Sequence, residues 1–216
     1  MDTPKREKNK EKTQQRLIDA TIELLKKDGF ASLGVNAIAE QAKVNKTLIY
    51  RYFDGLPGLM RAAANQLDLT QTKILDFSLP ENQEKVDLNA FLHDGFLSIH
   101  ERLQKDSLIQ KLMVQELSEE NEITRAFAET METQGLETTE QAKTFFSNIS
   151  NPKEPKALDF EATFAIVSAA ISYLTLRSST VQMFNGVDIQ SKEGWERICS
   201  TLANLLEKSL TSVTKE

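Results

Sequence analysis

Apolar residues recur at helical spacing along most of this chain, and the places where the rhythm stops divide it into segments. Leu17, Ile18, Thr21, Leu24 and Leu25 form a first buried stripe. Thr13 is placed to cap its start, Lys26 and Lys27 complement the dipole at its end, and Gly29 stops it. Val35, Ile38, Ala39 and Ala42 make a second, short helix. After Val44, Asn45 is a good N-cap for a third helix over Lys46 to Tyr52, in which Leu48 and Ile49 turn inward. Pro57 suits the first turn of a fourth, predicted to continue past Asn65 toward Phe77 and to end at Ser78-Leu79-Pro80.

The later segments follow the same period. Val86 to Leu117 is helical with a break near Lys105-Asp106, and Phe91, Leu92, Phe96, Ile99 and Leu103 share one face. Asn121 to Asn151 reads as another long helix, with Gly135 as its candidate interruption, and Asn151 to Pro155 as a linker. Asp159 to Met183 is apolar nearly all round. Phe160, Phe164, Val167, Ile171 and Leu174 form one stripe, and Ala162, Ala165, Ala169 and Leu176 another, the pattern of a helix buried on two sides. Gly186 and Gly194 bracket a loop before the last helix, where Trp195, Ile198, Cys199, Leu202, Leu205, Leu206 and Leu210 line up. With no strand-like alternation and no repeat, the prediction is an all-α chain of about nine helices.

Composition narrows the class. The 216 residues suffice for a small domain and a larger one, and 40% apolar with 27% charged is ordinary for a globular protein. The lone Cys199 excludes an internal disulfide framework and fits a reducing compartment. No apolar run follows the charged start, and the longest uncharged stretch, Ala162 to Leu176, is too short to span a bilayer. The expectation is a cytoplasmic protein with no membrane partner. Catalytic signatures are missing too: there is no Gly-rich phosphate loop, no paired Cys set and no local Ser or Cys nucleophile motif. An enzyme is not expected, nor a cofactor. His93 and His100 share a face, but no carboxylate or Cys completes a ligand set, so they read as surface or pocket-edge residues and no metal site is predicted.

Net charge is −6, which at first argues against a nucleic-acid partner. Its distribution answers the objection. Residues 1–66 hold 12 Lys+Arg against 8 Asp+Glu (+4), and residues 67–216 hold 14 against 24 (−10). Basic character is confined to the end that carries the two short helices, where phosphate neutralisation would need it.

Those two helices, with the sharp turn between them, outline a helix-turn-helix. Lys46, Thr47, Tyr50 and Arg51 lie on the outward face of the second, and Asn36 and Asn45 complete the candidate DNA-binding set. Thr13 to Leu59 resembles the DNA-binding domain of the TetR family of bacterial transcription regulators. The resemblance runs in order through Arg16-Leu17-Ile18 and Ala20, Gly29-Phe30, Val35, Ile38-Ala39, Val44, Tyr50, Tyr52-Phe53 and Leu59. Three positions depart from the family pattern. Lys43 stands where Gly is usual and is asked to accept a left-handed conformation. Gly34 replaces a capping Ser or Thr, and Leu56 replaces a phosphate-contacting Lys.

Residues 1–12, charged and with no apolar residue between Pro4 and Leu17, read as a flexible basic arm. Beside it the resemblance implies 13–60 as the helix-turn-helix domain and 61–216 as a helical ligand-binding and dimerisation domain. It implies a homodimeric repressor on a palindromic operator of double-stranded DNA, released by a small-molecule effector. The pocket candidates are Phe91, Phe96, His100, Met113, Phe127, Met131 and Phe164, an apolar set with a polar handle. The dimer candidates are Ala162, Ala165, Ala169, Leu176, Ile198, Leu202 and Leu206. Two alternatives stand beside this reading. One is a constitutive or architectural DNA-binding regulator without a small-molecule ligand; the other is a helical ligand-binding protein that no longer reads DNA.

Overall fold

The computed structural model describes residues 3–70, 87–149 and 159–210. Among them run nine α-helices: α1 (Thr3–Asp28), α2 (Val35–Gln41), α3 (Thr47–Phe53), α4 (Leu56–Ala64), α5 (Leu88–Lys105), α6 (Ser107–Ser118), α7 (Glu122–Ile149), α8 (Phe160–Ser178) and α9 (Lys192–Leu210). A single 3-10 turn, Gly29–Ser32, follows α1. The helical breaks expected near Gly29 and Lys105-Asp106 are present, and Asp87 and Asp159 cap α5 and α8 by accepting the amides of Ala90 and Ala162. No helix among the described residues is long and apolar enough to cross a membrane.

Four expectations are corrected. Thr13 is not a cap: α1 starts at Thr3, and the Thr13 hydroxyl donates to the Asn9 carbonyl inside the helix. Once the core-facing turns exist, each further residue of this Lys/Glu-rich segment extends the helix without a new nucleation cost. The second correction is α4, which stops at Ala64. The Gln134 amide donates to the carbonyls of Ala64 and Leu67, and its oxygen accepts from the Leu69 amide. That side chain satisfies backbone groups which a longer helix would have satisfied itself. Third, α7 passes Gly135 unbroken. Last, α8 ends at Ser178, and Met183 belongs to a two-stranded antiparallel hairpin, β1 (Met183–Phe184) with β2 (Val187–Asp188). Asn185 (φ 48°) and Gly186 (φ 83°) form its turn, the Asn-Gly dipeptide that matches the twist of a tight hairpin. The expected end of the fourth helix at Ser78-Leu79-Pro80 and the linker at Asn151 to Pro155 lie outside the described residues.

The described residues divide between two compact units, 3–70 with 107–134, and 87–106 with 135–210. In the first, Leu17, Ile18, Ile38, Ile49 and Leu59 are the large members of the core under α1–α4. Phe30 packs edge-on against Phe127 of α7 at 5.4 Å, and its amide donates to the Gln115 side chain of α6.

The second unit packs α5, α8 and α9 around Leu92, Phe96, Phe160, Val167, Ile171, Cys199 and Leu206, with Phe145 and Phe146 from α7. His100, expected at a surface or pocket edge, is instead inside this core. Its ring stacks on Trp195 at 3.4 Å, and Nδ1 lies 2.9 Å from the Thr175 hydroxyl. The Trp195 indole N–H in turn donates to the Ile189 carbonyl. His93 differs, holding Asp94 and Glu196 at 2.9 Å from its two ring nitrogens.

Burial pushes the His100 pKa down from 6.5 to about 4. The unfolded chain therefore binds a proton at this site before the folded protein does. Stability from the neutral imidazole is complete above pH 6.5 and is lost as pH falls toward 4. The expected loss is on the order of 3 kcal/mol. Urea unfolding of the wild type and of His100→Gln across this window checks it. The wild type should lose more stability on acidification than the variant, and equal pH dependence would remove His100 from the account.

Candidate nucleic-acid interface

The geometry of the head begins at the end of α2. Lys43 follows that helix with φ 53°, the left-handed conformation foreseen from the missing Gly. Its amide donates to the Glu40 carbonyl and that of Val44 to Ala39, so the chain turns back at once. The Arg16 guanidinium, reaching over from α1, donates to the carbonyls of Ala42 and Lys43. These are groups that the end of a helix leaves without an internal partner, and a cation there also meets the negative end of the helix dipole.

Asn45 then starts α3 as its chemistry predicts. Its side-chain oxygen accepts from the Thr47 amide at 2.9 Å and from the Thr47 hydroxyl at 2.8 Å. Gly34 precedes α2 without a side-chain cap. Within α3, Ile49 is fully buried and Leu48 packs beside it, which fixes the rotation of the helix and turns the other residues outward. Tyr50 is 59% exposed, a large ring with no core role, and Asn36, Asn45, Lys46, Thr47 and Arg51 are exposed with it. The Lys46 ammonium donates to Asn36 Oδ1 at 3.2 Å, joining the outer faces of α2 and α3. All six predicted residues thus lie on one small helix-turn-helix, with Asn45 and Thr47 also bonded to each other.

Charge on this surface is left open. Lys43, Lys46 and Arg51 form no ion pair among the described residues, whereas Arg61 on α4 is bound by Glu129 at 2.8 Å. Cations held without carboxylates are available to phosphate oxygens.

One residue that supports this site was missed in the sequence. After Asp54 (φ 58°) and Gly55 (φ 102°), α4 runs so close to the end of α3 that a Cβ on Gly58 would lie 1.7 Å from the Phe53 carbonyl oxygen. Only glycine fits there. The available signal was a second glycine just past Pro57.

The pocket candidates do not gather in one unit. Phe91, Phe96, His100 and Phe164 belong to the second unit, while Met113, Phe127 and Met131 belong to the first. Phe127 is fully buried against Phe30, and Phe96 and His100 are core residues.

The dimer candidates divide by exposure. Ala162, Ala165 and Ala169 are exposed on α8, and the same stripe includes Ile166 (64% exposed) and Tyr173 (55%), which the sequence reading left out. Leu176 and Ile198 are half-buried. Leu202 and Leu206 are used inside the protomer's own core, and Leu205 is the exposed leucine of α9.

Comparison with known proteins agrees with this geometry. Residues 17–63 match the family described as bacterial regulatory proteins, tetR family. An uncharacterised HTH-type transcriptional regulator of Bacillus subtilis (strain 168), YvkB, is 30% identical over 99 residues, covering 45% of this chain and 49% of that protein. The match therefore spans about half the length of this relative. Two solved structures share the fold. One is a HlyIIR mutant carrying a linker with two thrombin sites (TM-score 0.55, 17% identity, 90% of this chain and 99% of that one). The other is a TetR family transcription regulator from Marinobacter aquaeolei VT8 (TM-score 0.52, 15% identity, 92% and 97%). Residues 17–63 thus match the tetR-family DNA-binding domain by sequence, and the chain as a whole shares the fold of the two solved structures.

Proposed function

We propose that the protein is a sequence-specific DNA-binding transcriptional regulator that acts as a homodimer, and that it is a repressor released from a palindromic operator by a small molecule. The observation that carries the DNA-binding part is the outer face of α3. Tyr50 is more than half exposed, Arg51 and Lys46 have no carboxylate partner among the described residues, and the helix is locked in rotation by Ile49. An element of this size placed in the major groove brings three or four side chains to base edges and phosphates. Asn36, bonded to Lys46, belongs to the same surface.

The homodimer rests on α8. Its inner face fills the core, yet Ala162, Ala165, Ile166, Ala169 and Tyr173 leave a second apolar stripe in solvent. The three alanines let a partner backbone approach closely, and Ile166 and Tyr173 supply apolar area. An obligate interface of this type buries on the order of 2,000 Å² or more. Two heads so joined read half-sites about one helical turn apart, or a multiple of it. The effector is an apolar or amphipathic molecule, a reading supported by the aromatic side chains Phe91, Phe96 and Phe164 in the second unit. Control follows if the effector binds one spacing of the two heads better than another.

Two expected outcomes test these assignments. Tyr50→Phe removes a single hydroxyl and should weaken operator binding by about 0.5–1.5 kcal/mol. Lys46→Ala should weaken binding to all sequences and reduce the salt slope by about one unit. Fluorescence titration over a salt series reads both; unchanged affinity and slope in the two variants would take α3 out of the interface. Separately, Ala169→Arg should convert a dimer to a monomer, since a desolvated, unpartnered charge costs several kcal/mol at a packed interface. Sedimentation at low micromolar concentration decides this. A monomeric wild type, or a dimer indifferent to Ala169→Arg, would contradict the assignment of α8.

A further inference from the structure

The N-terminal turns of α1 have no core to cover. Residues 7–12 are all exposed, yet they continue the helix whose Leu17, Ile18, Ala20 and Leu25 anchor the head. Lys10 precedes Leu17 by two helical turns and therefore stands on the face of α1 that is directed at the head. Its ammonium lies 5.9 Å from the centroid of the Tyr52 ring, in the last turn of α3. The Arg51 guanidinium lies 5.8 Å from the centroid of that same ring. Neither cation has an ion-pair partner among the described residues. One exposed cation–π contact is a weak hold on a lysine, and the same holds for the arginine. Both cations are therefore open to an anion that reaches this edge of the head. The head carries DNA-facing residues on the same short helix, so the anion that fits is a backbone phosphate.

We propose that Lys10, carried on the helical extension of α1, is a DNA-phosphate contact acting beside Arg51 across Tyr52, and that the extension is part of the DNA interface. The inference rests on the DNA-binding reading above and adds a contact outside the helix-turn-helix. It also gives the extension a defined partner. A phosphate contact positions the protein and carries no sequence information, so loss of Lys10 should weaken all duplexes alike.

The test uses the full-length protein and two duplexes, one selected for tight binding and one of scrambled sequence, titrated over a salt series. Lys10→Gln should lower affinity for both several-fold at low salt and reduce the salt slope by about 0.9 for each protomer bound. The ratio of affinities for the two duplexes and the melting temperature should stay at their wild-type values. Lys8→Gln is the control, because it removes the same charge from the opposite face of α1. It should leave the slope unchanged. A wild-type slope in Lys10→Gln, or an equal fall in Lys8→Gln, would overturn the inference while leaving the DNA-binding reading intact. A wild-type protein that binds neither duplex would overturn both.

Discussion

The helix-turn-helix depends on how Arg16 closes the end of α2. A lysine in the left-handed region costs on the order of 1–2 kcal/mol relative to glycine, and Lys43 occupies that region at the sharpest point of the head. The turn is held from outside. Arg16 donates to the two carbonyls that the turn exposes, Asn45 satisfies the first amide of α3, and Ile49 locks the rotation of that helix in the core. With these three fixed, the direction of Tyr50 and Arg51 follows from helical geometry alone. The close passage of Gly58 against the Phe53 carbonyl then ties α3 to α4.

Electrostatics follow the same division. The head keeps exposed cations at Lys43, Lys46 and Arg51 without carboxylates among the described residues, whereas Arg61, Arg125 and Lys143 are paired with glutamates. Exposed pairs of that kind add little stability, but each lowers the charge a passing phosphate would meet. Residues 1–66 carry +4 and the remainder −10, so the segment that holds α3 is the basic one.

Much of this was legible in the sequence because it rests on local chemistry. The cap at Asn45, the strain at Lys43, the core side of α3 and the break at Lys105-Asp106 all follow from residues within a few positions of one another. Features set by distant partners were not legible. α4 ends early because Gln134 arrives from another helix, and α1 begins early because an exposed charged segment needs only an existing helix to extend. Burial of His100 depends on Trp195, and the Asn185-Gly186 hairpin was missed although its dipeptide signal was present. One apolar stripe of α8 fills the core as expected, whereas its second stripe, which includes Ile166 and Tyr173, is exposed, and Leu202 and Leu206 of α9 are used inside the core.

The central claim is that the outer face of α3 reads a specific DNA sequence in a two-fold arrangement. Selection of bound duplexes from a random pool at defined salt, followed by sequencing, tests it most directly. The account predicts enrichment of a palindrome whose half-sites lie about one helical turn, or a multiple of it, apart. Binding that is sensitive to salt but enriches no sequence, or no binding at all, would contradict it.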